Sequence, residues 1–172
     1  MQPIIVRHAS PSDAELIANL SRQTFYETYV SYNTKEDMDK FMNEQFTKEA
    51  LMKEVGTPGN IFLLAYADNE VKGYARMRES KTPFALGDIN AIEIARIYAR
   101  TNVIGKGIGS ALMQKCIEVA KENKKEIIWL GVWPKNQLAL NFYIKWGFEK
   151  FAVQNFVLGN DVQQDWLMKK LL

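Results

Sequence analysis

The chain has 172 residues, 47% of them apolar and 24% charged, with a formal net charge of +2. That length suits one domain (1–172) with a sizeable buried core, and the balance is globular, not disordered. No apolar run reaches the ~18 residues of a membrane span, no Lys/Arg cluster is dense enough to follow a nucleic-acid backbone, and Met1-Gln2-Pro3-Ile4 lacks the basic start of a leader; a cytoplasmic protein without membrane or nucleic-acid partners is expected.

Ile4-Ile5-Val6-Arg7 reads as a first strand. Ser10-Pro11-Ser12-Asp13 then opens a helix, with a polar cap and a proline just inside, and Leu16, Ile17, Leu20 and Phe25 form its apolar face. Two further helical regions are expected over 35–46 and 48–55, ended by Gly56-Thr57-Pro58-Gly59. Residues 61–67 and 71–78 form a hairpin about a turn at Asp68-Asn69-Glu70. A loop at Lys81-Thr82-Pro83-Phe84 leads to a strand over 92–98, then a helix to Lys121, a strand over 127–132, a helix after Trp133-Pro134-Lys135, and strands near 149–158 and 165–169. Strand-helix-strand order calls for a right-handed crossover and a parallel pair, within an α/β fold built on a mixed sheet.

The raw material for chemistry is narrow. There is one cysteine and one histidine. Cys116 falls on the apolar side of its helix and reads as a buried, inert thiol, and His8 follows the first strand as a surface residue. Zinc sites and Ser-His or Cys-His catalysis therefore lack residues, and no metal is expected. Carboxylates, tyrosines and backbone dipoles remain.

The most informative segment is Ile104-Gly105-Lys106-Gly107-Ile108-Gly109-Ser110, between a strand and a helix. Glycine admits positive φ and close approach of a ligand, and the free N–H groups of a helix start favour an anion, so the segment reads as a phosphate cradle. It is not a nucleotide P-loop, because no lysine is followed by Ser or Thr at the required offset. Nor does it fit a dinucleotide fingerprint: the third glycine comes one residue early, and the next strand ends Gly131-Val132-Trp133 with no carboxylate.

Together, Gly107-Ile108-Gly109 after a strand and Asn136-x-x-Ala139-x-x-Phe142-Tyr143-x-x-x-Gly147-Phe148 resemble the GCN5-related N-acetyltransferase superfamily. Closer still is the likeness to PaiA-like spermidine/spermine acetyltransferases. It is carried by Thr24-Phe25-x-x-Thr28-Tyr29, Glu93-Ile94-x-Arg96-Ile97-Tyr98, Trp129-Leu130-Gly131-Val132-Trp133-x-Lys135-Asn136 and Phe156-x-x-Gly159-x-Asp161. The resemblance implies a mostly antiparallel mixed sheet flanked by helices, with a splay between two parallel strands that admits the pantetheine arm of acetyl-CoA. It also implies pyrophosphate binding by the loop 104–110. Ile104 stands where the family pattern has Gln or Arg, while its backbone N–H remains, and Lys106 adds a cation nearby.

Acetyl transfer to an amine needs three groups. The resemblance puts an oxyanion donor at the backbone N–H of Ile97 or Tyr98, and Tyr143 beside the sulfur, where a phenol of pKa about 10 can share a proton with a thiol near 8.5. The attacking amine must be neutral, which costs about 4 kcal/mol at pH 7 without assistance. Glu93 is the first choice of base and Glu27 the second. Asn136 serves as helix cap and as a partner for the pantetheine arm. Tyr29 and Trp133 are expected walls of the acceptor pocket, whereas Trp129 is equally explained as core. The expected activity is acetyl transfer from acetyl-CoA to a small primary amine, a polyamine first, by a monomer or homodimer. Rivals are the same fold acting on a protein N-terminus, a lysine or an antibiotic amine, and a CoA-binding regulatory protein with little turnover.

Overall fold

In the computed structural model the described residues are 3–80 and 82–172, so Met1, Gln2 and the Lys81 end of the expected loop lie outside them. Strand β1 (Ile5–His8) leads through a tight turn (Pro11–Asp13) into helix α1 (Ala14–Tyr29). Asp13 fixes that entry: it accepts the Ser10 N–H at 2.8 Å and holds Arg7. Helices α2 (Lys35–Lys40) and α3 (Lys48–Glu54) each start on a threonine whose hydroxyl accepts an N–H of the first turn, Thr34 from Asp37 and Thr47 from Ala50.

The helix expected over 35–46 keeps α geometry only to Lys40. Residues Phe41–Gln45 widen into a π turn, closed by the Phe46 N–H on the Phe41 carbonyl at 2.9 Å. Phe41 and Phe46 stack on Phe25 of α1, and Arg22 of α1 binds the Met42 and Phe46 carbonyls, so tertiary partners take over the backbone here.

Strands β2 (Asn60–Ala67) and β3 (Glu70–Arg78) form the expected hairpin, with Asp68 and Asn69 both at positive φ (53° and 61°). Then come β4 (Ala91–Ala99), helix α4 (Ile108–Glu122), β5 (Ile127–Val132), helix α5 (Gln137–Lys145), β6 (Glu149–Leu158) and β7 (Asp161–Leu171). The last strand begins earlier than expected because residues 161–164 pair fully with β6.

All seven strands join one sheet in the order β1-β2-β3-β4-β5-β7-β6, with β4–β5 the parallel pair. That pair is short. It runs through Ala91↔Ile127, Ile92↔Ile128 and Glu93↔Trp129, after which β4 stays with β3 and β5 stays with β7. The sheet therefore opens in its middle towards the C-terminal ends of β4 and β5.

Helices α4 and α5 cover one face, where Ile92, Ile94, Ile128 and Leu130 meet Leu112, Met113, Cys116 and Leu140. Burial pushes the Cys116 thiol up to about 12, which keeps it inert. Helix α1 covers the other face through Ile17 and Leu20 on Phe62, Leu64 and Tyr74. Glu54, at the end of α3, binds Arg76 of β3 (2.9 Å) and both terminal nitrogens of Arg96 of β4 (2.6 and 2.9 Å), clamping α3 beside the opening. Gly73 lets α4 sit down on β3–β4: a Cβ there would lie 2.7 Å from the Tyr98 carbonyl and 2.9 Å from Ile108 Cγ2.

Candidate active site

The opening between β4 and β5 continues into a cavity of about 450 Å³, lined by the second half of β4, the loop after it, the end of β5 and one side of α5. Backbone direction decides what β4 offers it. The Arg100 N–H donates to the Lys72 carbonyl of the β3 side at 2.8 Å. Antiparallel alternation then turns the Tyr98 N–H towards β3 and the Ile97 N–H away from it, into the opening where β5 has departed. Of the two expected oxyanion donors, Ile97 is the one whose N–H is free. A bulge at Ala95, between the pairs Arg76↔Arg96 and Met77↔Ile94, sits next to it.

The loop supplies a second set of donors. Gly105 and Gly107 have φ of 81° and 91°, and Gly107 is the residue from which α4 starts. Among the described residues the N–H groups of Gly105, Gly107, Ile108, Gly109 and Ser110 meet no backbone acceptor, while the Ala111 N–H closes the first helical bond on the Gly107 carbonyl. Free N–H groups converging at a helix start fit a phosphate. The expected Ile104 donor is not available: its N–H is taken by the Thr101 carbonyl, and the Lys106 N–H by the Val103 carbonyl, because the chain tightens into consecutive turns there. The Ile104 side chain is exposed on the cavity lip, and the Lys106 side chain lies outside the lining.

From α5 come Asn136 and Tyr143. Asn136 Oδ1 caps the helix on the Ala139 N–H at 3.2 Å, and its side chain also engages Tyr29. Tyr143 is buried to 8% exposure, lines the cavity, and packs its ring on Phe142 and Phe148. Loss of water, with Tyr29 and Cys116 nearby, pushes its phenol well above the ordinary range, so the hydroxyl keeps its proton and is available as a donor. Tyr98 donates to Tyr29 across 3.4 Å, and its phenol is raised in the same way.

Tyr29 of the lining leads to an aromatic surface just outside the cavity. Trp133 meets Tyr29 and Tyr32 edge-on, with centroids 6.2 and 5.2 Å away, whereas Trp129 is core against Ile127 and Leu167. Glu27 and Glu93 are placed apart from this wall. Glu27 accepts from Gln23 and Thr101. Glu93 stands at the apex of the opening, at its last strand pair, where Arg78 (2.5 and 3.1 Å) and Ser80 (2.8 Å) occupy its oxygens. Neither glutamate lines the cavity. Asp165 of β7, absent from the expected set, lies beside Gly131 and within electrostatic reach of Tyr29; burial alone pushes its carboxyl up to about 6. The signal for it is positional: it precedes buried Leu167 by two residues, so it shares the inward face of the strand.

Residues 22–148 match the family model described as the acetyltransferase (GNAT) family. A Lactobacillus delbrueckii protein named as an uncharacterized N-acetyltransferase is 36% identical over 172 residues, spanning 100% of this chain and 99% of that one. The chain belongs to the GNAT family of acetyltransferases. A spermidine N(1)-acetyltransferase of Thermoplasma acidophilum is 26% identical over 150 residues, covering 85% of this chain and 88% of that protein. The crystal structure of a PaiA N-acetyltransferase of Thermoplasma acidophilum in complex with coenzyme A superposes with a TM-score of 0.77 at 23% identity, over 99% of this chain and 100% of that one. The GNAT fold thus accounts for the mixed sheet with its single parallel pair. Family membership also sets the reaction class, acetyl-CoA-dependent acyl transfer.

Proposed function

We propose that this GNAT protein, acting as one domain over 1–172, moves acetyl from acetyl-CoA to a small primary amine of the polyamine type. The observation that carries the reading is convergence: Ile97 with its free N–H, Tyr143, and Gly105, Gly107, Gly109 and Ser110 of the glycine loop all line one cavity in the split sheet. The acceptor class draws support from the Thermoplasma spermidine acetyltransferase relative and from the Tyr29–Trp133–Tyr32 wall, which suits a cation.

Acetyl-CoA supplies an activated acyl thioester. The residues do the rest. Gly105, Gly107, Ile108, Gly109 and Ser110 hold the pyrophosphate with backbone N–H groups, and Asn136 orients the pantetheine arm. The Ile97 N–H takes up negative charge developing on the thioester oxygen. Tyr143, kept protonated by its burial, donates to the departing sulfur. Glu93 and Glu27 are the carboxylates proposed to take the amine's proton; with neither on the cavity wall, each would work through water.

Free-thiol release from acetyl-CoA tests the reading across spermidine, spermine, simple monoamines, peptide N-termini and aminoglycosides. Polyamines should give the highest kcat/KM. Background release with saturating polyamine would reject the acceptor class, and background release with every amine would leave a CoA-binding protein with little turnover.

A further inference from the structure

Asp165 differs from the other carboxylates around the sheet. Glu93 holds Arg78 and Ser80, and Glu54 holds Arg76 and Arg96. Asp165 is half-buried, yet among the described residues no hydrogen bond or ion pair reaches its side chain. The groups facing it are Tyr29 from α1, Gln154 directly opposite on β6, and Gly131 of β5, where even a Cβ would stand 3.8 Å from Oδ2. On its own strand Gln163 is turned to Asn33 and Asp161. None of these is a cation.

A carboxylate partly withdrawn from water without a cation beside it is costly, and these neighbours supply none. Its position explains why a cation could be delivered there. β5 last pairs at Val132↔Trp166, so Asp165 lies one step further along, level with Trp133 and beside the end of α1 that carries Tyr29. Gly131 lines the cavity with no side chain of its own, and a Cβ there would stand 3.4 Å from Gln154 Nε2 and 3.8 Å from Asp165 Oδ2, so Asp165 lies just behind the lining with only a glycine between.

We propose that Asp165 is the docking anion of the acceptor site, its carboxylate receiving an ammonium group of the amine between the rings of Tyr29 and Trp133. This rests on the amine-acetyltransferase reading above. It makes Asp165 a substrate-binding residue, and it favours acceptors with a second cationic nitrogen: one is held as ammonium while another, neutral, reaches the thioester. The sign of the pH dependence follows. With its carboxyl raised to about 6, Asp165 is neutral at lower pH and cannot hold an ammonium. Acceptor binding should therefore strengthen as pH rises through about 6, over a range where a polyamine keeps its charge.

The test compares wild type with D165N, which keeps the shape and removes the charge. Spermidine and a cationic monoamine serve as acceptors, each followed by thiol release from about pH 5 to about pH 8. D165N should raise the spermidine KM about tenfold or more, abolish the step near pH 6 in kcat/KM, and leave acetyl-CoA affinity unchanged by calorimetry. The melting temperature should hold or rise, since a desolvated charge is gone; D165E should recover part of the acceptor affinity. An unchanged KM in D165N, with fold and acetyl-CoA binding intact, overturns the proposal and leaves the polyamine reading standing. A wild type inactive on polyamines but Asp165-dependent on another cationic amine does the reverse. If no amine turns over, spermidine binding to the CoA-loaded protein decides: binding lost in D165N supports the site, and no binding to wild type refutes it.

Discussion

The two halves of the cavity are made of different material. On the proposed cofactor side most donors are backbone N–H groups of one continuous stretch, from Ile97 at the end of β4 to Ser110 in the first turn of α4, with Asn136 and Tyr143 of α5 beside them. On the proposed acceptor side the surface is made of side chains from distant segments: Tyr29 closing α1, Trp133 after β5 and Asp165 on β7. A backbone donor cannot be exchanged, only displaced by altering φ or the packing beneath it. A side-chain wall can be rewritten residue by residue while the sheet stays as it is. Under the proposed function, acceptor choice is therefore the adjustable property of this molecule, and cofactor capture the rigid one.

The largest break in that contrast is Y143F, which removes one hydroxyl and keeps the ring packed. It should lower kcat by about 10²–10⁴-fold while acetyl-CoA affinity and melting temperature stay near wild type. Weaker acetyl-CoA binding with unchanged kcat would move the hydroxyl from proton donor to cofactor ligand. Next in size is E54A. With the carboxylate gone, the guanidinium groups of Arg76 and Arg96 face each other beneath the opening, and burial already lowers Arg76 to about 10. The expected loss is about 3–5 kcal/mol in chemical denaturation. A loss within the error of the measurement would show that solvent replaces Glu54.

G107V attacks the backbone-built half. Valine at φ 91° is strained, and its Cβ would also meet Ile4 Cδ1 at 3.3 Å. About 1–3 kcal/mol is expected, read as weaker acetyl-CoA binding with some loss of stability, while acceptor KM holds. Equal affinity by calorimetry would remove the loop from the site. The smallest effect is I104R, which sets a cation on the exposed lip: affinity for acetyl-CoA should improve by about 0.3–1 kcal/mol at low salt and return to wild type at high salt.

How far the sequence could be read follows the same division. The glycine spacing of 105–109, the Asp68-Asn69 turn and the apolar run of the strand over 127–132 are local patterns, and each is where it was expected. The donor assignment within the loop was not local: Ile104 and Lys106 lose their N–H groups to a turn whose closure depends on Thr101 and Val103. The π turn at Phe41–Gln45 likewise depends on Arg22 and Phe25, which no pattern within 35–46 contains. Glu93 was singled out by its strand, but its oxygens are committed to Arg78 and Ser80, partners set by the β3–β4 register. Asp165 escaped notice because it belongs to the side-chain-built half. Only the sheet order β5-β7-β6 brings it beside Gly131 and Tyr29.

The short β4–β5 pairing has a mechanical consequence. Among the described residues, three ladder pairs and the Glu126 N–H on the Asn90 carbonyl beside them make the backbone seam between β1–β4 and the β5-β7-β6 group, so the sheet is two leaves stitched at one end. Such leaves should open as separate cooperative units, with the amides along the free edge of β4, Ile97 and Ala99 among them, exchanging with solvent ahead of the paired ones. A ligand whose own amide groups bond to that edge would serve as a missing stretch of strand. Its binding would then slow exchange in both leaves at once, coupling the stiffness of the whole sheet to occupancy of its central cleft.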